Sequence, residues 1–168
     1  MHGAWETGMR IRHRKSAVAV LSFVAALSLA GSGDAPAAAL ATSVTVPISG
    51  IVDGAPESVS LSGSLLIVST LVTDATLASP KERLVIKVVN VSGAGLTSGA
   101  SYVASGEDRL LRQMALSDHI DLMFPFYRTS DGPRSARSAM ASITLKFDLV
   151  SGALTGATAT FAAPKLPS

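Results

Sequence analysis

The chain contains no cysteine. That removes disulfide staples and thiolate metal sites, so the fold has to rest on an apolar core alone. Aromatic residues are scarce. The one tryptophan, Trp5, and two of the three histidines, His2 and His13, sit in the first 41 residues, which read as a leader. The remainder of the chain has four Phe, two Tyr and the single His119. So few rings leave little from which to build a sugar-stacking cleft or the aromatic girdles of a membrane barrel. One histidine without cysteine excludes the usual zinc and copper ligand sets. Charge of one sign is missing too. The formal charge of +2 comes from Arg10, Arg12, Arg14 and Lys15. Beyond residue 41 there are ten basic and ten acidic side chains. Nucleic-acid binding, which needs surplus cations to displace counterions, is therefore not expected.

What the first 41 residues do contain is the grammar of export. A basic stretch (1–16) is followed by an uncharged apolar run, Ala17 to Ala30, and then by a segment rich in small residues (31–41). That order matches a secretory signal peptide. The apolar run is fourteen residues long, short of the ~20 that a membrane-spanning helix needs. Small residues permit cleavage after Ala30, Ala39 or Ala41, and Ala41 is favoured because strand-like alternation starts directly after it. The rest, 42–163 with a short tail 164–168, reads as one domain in the periplasm or outside the cell. Its composition, rich in Ala, Gly, Ser and Thr without Cys, has a bacterial look, which makes the sequon Asn90-Val91-Ser92 incidental. About 127 residues suffice for a core, since such a domain buries roughly two-thirds of its surface.

Apolar residues recur with period two. Val44, Val46 and Ile48 begin a first strand that Pro47 and Gly50 close. Val59, Leu61, Gly63, Leu65, Ile67 and Leu71 share a face, opposite serines at 58, 60, 62 and 64. Leu84 to Val91 is almost continuously apolar, as expected of a central strand buried on both sides. Ile120 to Tyr127 alternates but carries Pro125, which predicts an edge or a bulge. Ile143, Leu145, Phe147 and Leu149 alternate next, and Leu154 to Phe161 supplies the last strand. Residues 105–116 fit either a capped helix or a strand, and the all-β surroundings favour strand. Seven to eight short strands between Gly, Pro, Ser and Asp turns predict an antiparallel β-sandwich.

A short internal echo stands out. Val85 to Ala100 and Thr144 to Ala157 both carry Lys with V-S-G-A four residues later, at an offset of 59, and then, after two single-residue gaps, L-T and G-A. If the echo marks a duplicated hairpin, Gly93 and Gly152 should both take positive φ in equivalent turns.

Chemistry is harder to find. His119 lies between Asp118 and Asp121, but no G-x-S-x-G elbow accompanies it. Asp118 with Asp121, or Glu107 with Asp108, offer oxygens to calcium without the spacing of a calcium loop. Gly93-Ala94-Gly95 followed by Gly99 lacks both the lysine and the helix of a phosphate loop. No catalytic residue, cofactor site or metal site is assigned. The most distinctive surface comes after Phe124-Pro125-Phe126, where Tyr127, Arg128, Asp131, Arg134 and Arg137 bring residue types enriched at binding surfaces. The expectation is a secreted, non-catalytic protein acting by binding or assembly. Its partner is a protein or cell-surface ligand, and homo-oligomerisation through an edge strand is open to it. The alternatives are a pilus- or fibre-type subunit that accepts a donated strand, and a small hydrolase using His119.

Overall fold

The computed structural model describes residues 41–73 and 79–164. The expected leader up to residue 40, with the expected cleavage points after Ala30 and Ala39, lies outside the described residues, as does the tail from 165. The described chain is all-β. Its strands are β1 (Ala41–Val52), β2 (Val59–Val72), β3 (Lys81–Gly95), β4 (Ser101–Ala104), β5 (Glu107–Gln113), β6 (Ser117–Arg128), β7 (Arg137–Phe147) and β8 (Leu154–Ala162). The ambiguous 105–116 stretch thus forms a strand. A 3-10 turn, Pro133–Ser135, precedes β7.

The expected sandwich is replaced by a barrel. Seven strands close in the order β1-β2-β3-β4-β6-β7-β8, and the circle is completed where β8 lies parallel to β1 through Ile48–Ala159 and Ser49–Thr160. Inward-apolar alternation is common to sandwiches and barrels, so the sequence pattern does not separate them. The seam decides. At Gly50 the two strands approach so closely that a Cβ would run into the Phe161 carbonyl, so the seam requires glycine there.

Alternation then explains the core. Ile120, Leu122, Phe124 and Phe126 of β6 point inward, as do Ala139, Ala141, Ile143, Leu145 and Phe147 of β7. Phe124 stands opposite Ala139 and Leu122 opposite Ala141, so large side chains of one strand fill the space left by small ones of the next. In β3, Leu84, Ile86 and Val88 face inward, and a bulge at Asn90 (φ 51°) resets the phase so that Val91 also faces inward. The expectation that this strand is buried on both faces is corrected: Val85 and Val89 face outward, half-buried, and Lys87 is exposed.

The echo is coincidence. Gly152 has φ 70°, as predicted, and donates to the Asp148 carbonyl. Gly93, however, lies inside β3, paired with Leu61 and Tyr102. The equivalent of the second turn is Gly95 to Ala100, where Gly99 (φ 68°) donates to the Gly95 carbonyl and Gly95 to that of Ala100. Ser98-Gly99-Ala100 therefore matches Ser151-Gly152-Ala153. Lys146 lies two residues before its turn and Lys87 eight before its own.

Closure is complete at one end only. β4 is four residues long and joins β3 to β6, whereas β5 pairs with β3 alone. At the break the Ser105 amide donates to the Pro125 carbonyl, and Pro125 has no amide hydrogen to return. Beyond that point β5 and β6 separate, although only Met114 to Leu116 connects them. The barrel wall thus contains a gap.

Candidate functional site

One end of the barrel is sealed by side chains. Glu57, before β2, accepts hydrogen bonds from the amides of Thr97 (3.2 Å) and Ser98 (2.9 Å), the Ser98 hydroxyl (2.7 Å) and Tyr102 Oη (3.1 Å). These donors, the Ser98 hydroxyl foremost, lower its pKa to about 2. Arg137 completes the seal. Its Nη1 donates to the Glu57 carbonyl (2.9 Å) and its guanidinium stacks 4.8 Å above the Phe126 ring.

The opposite end, where β3 and β6 begin, is polar in a different way. Parity with Leu84 and Ile86 turns Glu82 inward, to 1% exposure. Ser69 Oγ of β2 donates to Glu82 Oε2 at 2.5 Å, and Oε1 has no hydrogen-bond partner among the described residues. Burial outweighs the Ser69 bond and raises the Glu82 pKa. Directly across the β3–β5 ladder from Glu82 is Arg112. Arg112 reaches over the gap instead: Nε and Nη2 bind the two carboxylate oxygens of Asp118 on β6, each at 2.8 Å. This bidentate pair lowers the Asp118 pKa and raises that of Arg112. It is the one side-chain ion pair between β5 and β6 among the described residues.

The gap itself exposes backbone. Val88 donates to the Gly106 carbonyl and Met114 to the Pro80 carbonyl, so even-numbered residues of β5 face β3. Antiparallel alternation then aims the amides and carbonyls of Glu107, Arg109, Leu111 and Gln113 into the gap. On β6, Pro125 accepts from β4 and Thr129 donates to Ser101, so odd-numbered residues look the same way. His119, Asp121 and Met123 therefore face β5 across the gap with their backbone groups. Leu111 is 53% exposed beside this edge.

Of the residues singled out from sequence, Arg137 has become part of the sealed end. Tyr127 is half-buried on β6 opposite Val103, and Arg128 is exposed at the end of β6. Asp131 accepts from the Ser130 hydroxyl (2.7 Å), and Arg134 projects from the 3-10 turn. No side-chain hydrogen bond or ion pair joins any two of these five among the described residues. His119 lies on the exposed outer face, with Nδ1 3.3 Å from Thr144 Oγ1 and Nε2 3.4 Å from Asp121 Oδ1. Asp121 also accepts from Ser142, and Glu107 is held by Arg109 at 2.8 Å. The carboxylates considered for calcium are thus engaged by side chains or, for Asp108, by the Arg109 amide.

Glu82 and the Arg112–Asp118 bridge were missed in the sequence. Lys81-Glu82-Arg83 looks like a solvated strand entrance, yet its parity with Leu84 already placed Glu82 on the core side. Searches of protein families, of curated proteins and of solved structures find no match to this chain.

Proposed function

We propose that the protein is an exported, non-catalytic binding or assembly module that takes an extended segment of its partner onto the free edge of β5. The observation that carries this reading is the wall gap, where β5 is paired on one side only and the facing edge of β6 is equally open. An unpaired edge is a template for another strand. Charges on β5, Glu107, Asp108, Arg109 and Arg112, oppose indiscriminate pairing and favour a partner whose side chains answer them. The leader supports delivery to the periplasm or the cell exterior.

Leu111→Pro tests this reading. The Leu111 amide points into the gap, so proline there removes a docking donor and spares the β3–β5 ladder. Leu110→Pro, with its amide towards β3, is the disruptive control. The parent is expected to retain a partner from native culture fluid, or to self-associate on size exclusion at rising concentration. Leu111→Pro should do neither while melting like the parent. Equal retention by Leu111→Pro, or a parent that neither captures a partner nor associates, overturns the proposal.

A further inference from the structure

Outside the barrel, β2, β3 and β5 form a three-strand face with a composition unlike the rest of the molecule. Lys81, Arg83 and Lys87 project outward from β3, and Arg109 projects beside them from β5. Among the described residues, Lys81, Arg83 and Lys87 form no ion pair, and the one acidic residue of this face, Glu107, is bound to Arg109. Six residues of extended chain place Lys81 and Lys87 about 20 Å apart. Among the described residues this face carries four cations and one carboxylate, a local excess of positive charge.

Between the cations lie apolar side chains. Val85 stands opposite Val68, with Leu66 opposite Lys87 and Leu111 opposite Arg83. Val68, Val85 and Leu66 are half-buried although they point away from the core. The face belongs to the outside of the barrel.

We infer that this face docks on an anionic lipid surface. Cations interleaved with apolar side chains match the boundary between lipid phosphates and acyl chains, where the stems of Lys and Arg lie along the apolar layer and their heads meet phosphate. A nucleic acid offers the phosphates without the apolar layer. The inference is independent of strand addition, since it uses side chains of the outer face and not the backbone edge of β5.

The full chain and its Lys81→Gln/Arg83→Gln/Lys87→Gln variant are sedimented with phosphatidylcholine vesicles and with phosphatidylcholine–phosphatidylglycerol vesicles. The apolar leader contributes equally to both proteins, so the difference between them is the readout. The parent should prefer the anionic vesicles and be released by salt. Removing three charges should weaken that binding about 100-fold. Val85→Thr, nearly isosteric, should weaken it severalfold. Equal binding of the parent to the two vesicle types, or of the parent and the triple variant to anionic vesicles, overturns the inference. So does unchanged binding by Val85→Thr, or displacement from vesicles by polyglutamate at matched charge, which would assign the face to an acidic protein. Melts matching the parent exclude misfolding as the cause of any loss.

Discussion

Glu82 is held with one oxygen bonded to Ser69 and the other without a partner among the described residues. A carboxylate in that position has given up water without full compensation. Because burial raises its pKa, the folded state binds the proton more tightly than the unfolded chain does. The penalty is absent below the unfolded pKa and grows as pH rises towards and through the folded one. Glu82→Gln keeps an acceptor for Ser69 and cannot ionise. It should therefore be more stable than the parent at pH 8, by about 1–2 kcal/mol. The advantage should disappear near pH 4, as denaturant melts at the two values will show. Asp118 changes stability in the opposite sense, since its pKa is lowered mainly by the Arg112 hydrogen bond and its contribution is lost as pH falls. Comparing variant with parent at each pH cancels that background.

At the level of strands and turns, side-chain parity was legible and backbone geometry was not. Ile143, Leu145 and Phe147 are buried and Lys146 is exposed, as the alternation required. The same rule placed Leu61, Leu65 and Ile67 inside. The turn before β4 was misplaced because Val91-Ser92-Gly93-Ala94 and Ser98-Gly99-Ala100 offer the same turn chemistry six residues apart. The bulge at Asn90 and the ladders to β2 and β4 keep the first of them extended. This distinction has a measurable consequence. Gly99→Ala meets open space and costs only its left-handed backbone, about 1 kcal/mol. Gly93→Ala has an ordinary φ but drives a Cβ into the Ser60 carbonyl, so it should cost several times more. Urea midpoints of the two variants give the order. Across the gap, Arg112→Ala removes the tie to Asp118, and amides of β5 should then exchange with deuterium faster than those of β7, by roughly tenfold.

For the molecule as a whole, all-β character was evident from period-two alternation, while closure was hidden in two residue pairs of the β1–β8 seam. Nothing in a single strand's pattern reports which distant strand it will meet, and the gap that defines the candidate site is a product of that same pairing map. The five residues proposed as a binding surface were chosen for residue type, which carries no information on whether a side chain folds back onto the barrel end, as Arg137 does, or faces solvent.

The seam also fixes an order of events. Ile48 waits for Ala159, more than a hundred residues later, so the first strand has no neighbour on its second side until the last strand arrives. Hairpins β1–β2, β2–β3 and β6–β7 form from neighbours in sequence, but ring closure carries the entropy of the longest loop in the chain. A chain emerging N-terminus first from a ribosome therefore cannot pair the second side of β1 until Leu154–Ala162 emerges. During that interval its margins are exposed to whatever strand is nearest, so the time between synthesis of the first and last strands sets its window for misassembly.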